Sequence, residues 1–198
     1  TINLPDSLII IGGYAFRGTI LTSIVIPNTV TSMGEWVFQN SKQLVTATLS
    51  TNMLELSDFS FSDCTQLTTV TLPLDSALTT IGSSAFRYCT QLTNIPMPNN
   101  LTTIGGYAFN GCTALVGPIV IPSTITTLDH GVFYNCNSLT SVIIDGSPTV
   151  INGSMFFGCS SLTQFNIPDS VTSLGSTVFS NCISLTSLSL PSGITSIG

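Results

Sequence analysis

Leu162-Thr-Gln-Phe165-Asn-Ile167-Pro168-Asp-Ser-Val171-Thr-Ser-Leu174-Gly175-Ser-Thr-Val178-Phe179-Ser-Asn-Cys182 is one copy of a unit that recurs along the whole chain. Its Phe precedes Cys by three residues, and Leu185 follows three residues later. The same spacing returns at Phe61-Cys64-Leu67, Phe86-Cys89-Leu92, Phe109-Cys112-Leu115, Phe133-Cys136-Leu139 and Phe156-Cys159-Leu162. Two earlier copies, at Phe16 and Phe38, put Thr19 and Ser41 where Cys would stand. The aligned Phe residues are separated by steps of 22, 23, 25, 23, 24, 23 and 23 residues. A fixed period of this length marks a solenoid, in which each unit is too small to bury its own apolar face and does so against its neighbours.

The first half of the unit, Leu-Thr-x-Ile-x-Ile-Pro, alternates apolar and polar residues as a short strand does. Its Pro lacks an N–H and ends the ladder. The second half adds another extended piece and then Gly, at Gly12, Gly34, Gly82, Gly105 and Gly175. A tight corner with positive φ is expected there. The Ala-Phe-x-x-Cys segment has room for one helical or 3₁₀ turn. The predicted fold is a repeat solenoid of about eight repeats of 22–25 residues, with a parallel β-sheet on the concave face and short strands or 3₁₀ turns on the convex side. Extra residues at Pro73–Leu78 and Leu115–Ile119 fall in turns or just before strands, and the third unit is irregular, with Ser50 for Pro and Ser57-Asp58 for Gly. Residues 1–198 read as a single array. Because Thr1 and Gly198 both fall inside repeats, the expectation is a fragment of a longer protein without caps, or a chain that associates end to end.

Only 6% of residues are charged: Arg17, Lys42, Arg87 and nine acids. Three cations cannot neutralise a run of phosphates, so nucleic acid is not an expected partner. Mean hydropathy is +0.52, yet apolar residues alternate with Ser and Thr, and no stretch approaches the length of a transmembrane helix. The cysteines stand at least 23 residues apart, unlike the close pairs of zinc sites. A disulfide ladder is harder to dismiss, since equivalent residues of stacked coils lie within bridging distance. Parallel side chains, and Thr19 and Ser41 in the same column, favour buried free thiols, with no disulfide and no metal.

No catalytic set or cofactor site is expected, because no base stands near a nucleophile. His130 is the single histidine and occupies an outer position, and Glu55, Asp58 and Asp63 form the one acidic cluster. The candidate binding surface is the outward side of the first strand of each repeat. Its residues are Ser23, Val25, Thr46, Thr48, Thr69, Thr71, Asn94, Val120, Ser141, Ile143, Gln164 and Asn166, none of them charged. Ser and Thr could be soluble β-favouring filler or a dedicated face; Val120 and Ile143, on adjacent coils, are the apolar exception.

Leu92-Thr-Asn-Ile95-Pro-Met97-Pro98 through Ile104-Gly105-Gly-Tyr-Ala108-Phe109-Asn-Gly-Cys112 resembles the BspA-type, or treponemal-class, leucine-rich repeats. The resemblance covers essentially the whole chain, with Pro, Gly, Phe and Cys at fixed offsets. It implies a curved solenoid, and an extracellular or cell-surface protein that binds a protein ligand, such as a host-cell or matrix protein, and it transfers no catalytic residue. The expected role is therefore a non-enzymatic binding or adhesion module, with a self-assembling structural array as the alternative.

Overall fold

The computed structural model describes residues 2–198. Alternating apolar residues produce two columns of short parallel strands, one coil above the next. The first column holds β2 (Ser23–Val25), β4 (Thr46–Thr48), β6 (Thr69–Thr71), β9 (Ile119–Ile121) and β11 (Val142–Ile144). The second holds β1 (Ile10–Ile11), β3 (Ser32–Met33), β5 (Glu55–Leu56), β7 (Thr80–Ile81), β8 (Thr103–Ile104), β10 (Thr127–Leu128), β12 (Val150–Ile151), β13 (Ser173–Leu174) and β14 (Ser196–Ile197). No helix forms among the described residues, and none is long and apolar enough to cross a membrane.

The first column is not one sheet. It splits into β2-β4-β6 and β9-β11, because Asn94–Pro96 forms no strand between them. Pro96 has no N–H to donate to such a ladder. The second column is more continuous, running β5-β7-β8-β10 in one piece.

A third column lies at the Phe-Cys corner. Alternate N–H groups there bond within the coil and across to the next: Ala15 donates to Gly12 (3.3 Å) and Arg17 to Tyr14 (3.0 Å), while Tyr14, Phe16 and Gly18 donate to Glu35, Val37 and Gln39 at 2.8–3.0 Å. The local bonds are i→i+3, as in a 3₁₀ turn, but none continues into a helix. Two residues per coil take left-handed φ, one two residues before the aligned Phe and one two residues after it. Gly, Asn or Asp fills the later position in every copy except at Tyr88.

The expected role of the recurrent glycines is corrected. Gly34, Gly82, Gly105 and Gly175 do not have positive φ. They are required by close approach: a Cβ at these positions would lie 2.4–2.7 Å from backbone atoms of the preceding coil. Gly12, on the first coil described, has nothing within 4 Å. In the irregular third unit, the Ser50 hydroxyl donates to the Val30 carbonyl and the Ser57 hydroxyl to the Met33 carbonyl, both at 2.6 Å, so polar side chains fasten the coil there.

The core is built from columns of like residues. Phe16, Phe38, Phe61, Phe86, Phe109, Phe133, Phe156 and Phe179 form one continuous stack with centroids 5.1–5.9 Å apart and planes within 12°. Leu, Ile and Val from both strand columns fill the rest. Each buried aliphatic or Phe side chain contributes roughly 1.5–3 kcal/mol before ordering entropy is subtracted, so stability is distributed along the array.

Candidate functional site

The first strand column places every candidate residue on the exposed side. In β4 and β6 the middle residues, Ala47 and Val70, are buried, while Thr46, Thr48, Thr69 and Thr71 flank them outside the core. Ser23 and Val25 flank buried Ile24 in the same way. Asn94, Gln164 and Asn166 occupy equivalent exposed positions on coils without strand pairing. Val120 and Ile143 are register partners in β9 and β11, and Ser141 precedes β11.

Hydroxyls just ahead of a strand serve stacking: those of Thr79, Thr102, Thr126, Thr172 and Thr195 before the second column, and of Thr68 before the first, each donate to a carbonyl of the preceding coil at 3.1–3.2 Å. Outward hydroxyls inside the second column, those of Ser32, Thr80, Thr103, Thr127, Ser173 and Ser196, make no hydrogen bond among the described residues. On the first column the side chains of Ser23, Thr46, Thr48, Thr71, Asn94, Ser141, Gln164 and Asn166 make no hydrogen bond among the described residues, and Thr69 meets only Thr68, at 3.4 Å. This face therefore presents a row of uncommitted hydroxyls and amides, separated by about 4.8 Å from coil to coil. Val25 (62% exposed), Val120 (44%) and Ile143 (47%) add apolar contact points.

The face is not flat. Where the sheet breaks at Asn94–Pro96, a groove of about 510 Å³ opens, with Leu74, Ile95, Pro118 and Val120 in its lining. Its position matches the two insertions. Leu74 lies in the first and Pro118 in the second. Sequence reasoning named Asn94 and Val120 but missed Leu74 and Asp145; the available signal was the departure from the 23-residue period on both sides of Asn94.

The other chemistry-bearing residues are used locally. Each cysteine Sγ donates to the carbonyl of the Phe one coil back, as Cys64 does to Phe38 and Cys112 to Phe86, both at 3.1 Å. Ser41 Oγ makes the same bond to Phe16 at 2.9 Å, which explains its place in the column. All six thiols are free and buried. Burial pushes them up, Cys64 to about 12 and Cys182 to about 11. His130 is exposed and pairs with Asp129 (Nδ1 to Oδ1, 2.8 Å), standing edge-on to Tyr107. Partial burial opposes ionisation of Asp129, but the backbone N–H and imidazole of His130 outweigh it and hold the carboxyl below its ordinary value.

The acidic cluster separates into different tasks. Asp58 accepts the Ser83 N–H at 2.6 Å, Asp63 accepts the Ser62 hydroxyl at 2.8 Å, and Glu55 lies exposed in β5. No group of three or more His, Cys, Asp or Glu side chains positioned to hold a metal ion occurs among the described residues.

A family model described as the BspA type leucine-rich repeat region, in six copies, matches residues 1–116 and 79–198. A T. pallidum leucine-rich repeat protein of known structure is 28% identical, with a TM-score of 0.81 over 89% of this chain and 82% of that one. One from Bacteroides ovatus is 29% identical, with a TM-score of 0.78 over 100% of this chain and 62% of that one. A Eubacterium ventriosum leucine-rich repeat protein, 21% identical with a TM-score of 0.55 over 97% and 66%, shares the fold. No curated protein sequence matches the chain. The chain spans less than two thirds of the Bacteroides protein's length.

Proposed function

The chain belongs to the BspA-type leucine-rich repeat family, and from that premise we propose that it is a non-enzymatic protein-binding module whose first strand column is the binding face. The observation that carries this reading is the makeup of the first-column face: Ser, Thr, Asn and Gln side chains without partners surround the exposed apolar side chains of Val25 and of the register partners Val120 and Ile143. Such a face makes hydrogen bonds of modest strength at many points, and it excludes water best where Val120 and Ile143 adjoin. With no charge on the face itself, it exerts little long-range steering, and slow association with affinity set by dissociation follows. Adhesion at a cell surface, to a host-cell or matrix protein, is the setting we propose for it.

The test immobilises the chain and measures capture of purified extracellular-matrix proteins and of cells. The triple variant Thr46→Lys, Thr69→Lys and Ile143→Lys is compared with Arg87→Glu on the turn side. The reading predicts capture that the triple variant abolishes and Arg87→Glu leaves intact. Failure to capture anything above background, or equal loss in both variants, contradicts it.

A further inference from the structure

The charges of this chain are sorted between its sides. All three cations belong to the turn side: Arg17 and Arg87 follow Phe16 and Phe86 and lie over Tyr14 and Tyr88, and Lys42 follows Ser41. Four of the nine acids, Asp6, Asp75, Asp145 and Asp169, lie instead in the turns that leave the first strand column, and all four are exposed. The strand face is therefore neutral but bordered along one edge by carboxylates that, among the described residues, no cation approaches. Three of these acids edge surface grooves: Asp6 beside Leu4 and Val25, Asp145 beside Val120, and Asp169 beside Ile143.

The groove at the sheet break is the largest of the three, at about 510 Å³. Its apolar lining includes Leu74, 55% exposed, and Val120. Asp75 follows Leu74 directly, and Asp145 lines the groove three coils further on. At roughly 4.8 Å per coil these two carboxylates stand on the order of 14 Å apart along the solenoid axis. An extended chain advances about 3.3 Å per residue and alternates its faces, so residues i and i+4 span roughly 13 Å, with residue i+2 between them on the same side.

We propose that this groove seats an extended segment of a partner protein in which an apolar side chain lies between two basic ones two residues away on either side. The apolar side chain occupies the space against Leu74, Ile95 and Val120, and the flanking Lys or Arg side chains meet Asp75 and Asp145. This rests on the protein-binding reading above and adds to it the chemistry of the partner. Exposed ion pairs at a rim contribute selectivity and salt dependence more than raw affinity.

The experiment uses the whole chain and three synthetic 12-residue peptides, Ser-rich apart from a core of Lys-Ser-Leu-Ser-Lys, Glu-Ser-Leu-Ser-Glu or Lys-Ser-Ser-Ser-Lys, with binding followed by fluorescence anisotropy. The Lys-Leu-Lys peptide is expected to bind at least about five-fold tighter than the Glu peptide in 50 mM salt, with the difference collapsing in 0.5 M salt. Replacing its Leu by Ser weakens binding, as does Val120→Lys in the protein, while Asp145→Asn weakens it by about two- to five-fold. Circular dichroism melting establishes that each variant is folded, and Asp145→Asn, at an exposed turn, keeps the test decisive should Val120→Lys unfold. Equal binding of the Lys and Glu peptides, or indifference to both variants, overturns the proposal. If no peptide binds while protein capture still responds to the strand-face triple variant, this proposal fails and the protein-binding reading stands.

Discussion

Replacing Gly105 by Ala tests how tightly the coils stack. The added Cβ meets the Ser83 backbone nitrogen at 2.6 Å and the Gly82 carbonyl carbon at 2.9 Å, distances that no rotamer change can relieve because both neighbours are main chain. Relief requires the two coils to move apart where the Gly105 N–H donates to the Ile81 carbonyl at 2.8 Å. Overpacking of this kind costs about 1–3 kcal/mol, and a backbone clash lies at the upper end. For a chain of this size that lowers Tm by roughly 6–12 °C. Gly12 is the internal control, at the same position of the repeat but with nothing within 4 Å. Neither glycine has positive φ. Gly12→Ala is therefore expected to stabilise by about 0.4–1 kcal/mol, through the unfolded chain's lost freedom. Differential scanning calorimetry of the two variants decides the matter. Equal destabilisation by both would refute the close-approach argument and return the glycines to a conformational role, and a neutral Gly105→Ala would refute the stacking distance itself.

The Cys column makes a second paired prediction: Cys112→Ser keeps a donor to the Phe86 carbonyl, as Ser41 does for Phe16, whereas Cys112→Val removes one of that carbonyl's two donors and leaves the Cys89 N–H at 3.1 Å, at a cost of about 0.5–1.5 kcal/mol beyond the serine variant. Urea titration measures it, and equal stability of the two variants contradicts it. Alkaline pH supplies a third. Burial raises every thiol, so below the unfolded thiol's value of 9.0 both states are protonated, while between 9 and about 11, where Cys182 begins to ionise in the folded chain, only the unfolded state ionises. Stability then falls as pH rises, by about 1.4 kcal/mol per pH unit for each thiol across that window. Urea midpoints at pH 8, 9 and 10 should drop steeply, and the decline should flatten when all six are serine; an unchanged midpoint at pH 10 defeats the prediction. Finally, Phe109→Ala removes one ring from the middle of the stack and should cost about 3–5 kcal/mol, whereas Phe16→Ala on the outermost coil, where the ring is only half-buried, should cost clearly less.

The solenoid and its exposed strand positions were legible because both depend on periodicity alone. Phe at a 23-residue step must stack on Phe, and residues flanking a buried strand centre such as Val70 must face out. The glycines were misread because their reason lies in a neighbour: nothing in Ile104-Gly105-Gly106 reveals that Ser83 of another coil stands 2.6 Å away. The left-handed residue two places after Phe did leave a trace, in Gly18, Asn40, Asp63, Gly111, Asn135, Gly158 and Asn181, residue types that tolerate that region. The one two places before Phe left none. Tyr14, Trp36, Phe59 and Tyr107 avoid left-handed φ in isolation, and each is held there by an N–H bond of 3.0–3.1 Å to the following coil. The groove left only an indirect trace, the two departures from the 23-residue period, because its lining joins residues of insertions more than forty positions apart, Leu74 and Pro118.

Hydrogen exchange with a captured partner bound tests the binding face most directly. Protection is predicted at the amides of Thr46–Thr48, Thr69–Thr71, Ile119–Ile121 and Val142–Ile144, strongest beside Val120 and Ile143, with the Phe-Cys corners unchanged. Protection confined to the corners around Tyr88 and His130, with the first strand column exchanging as in the free chain, would contradict it.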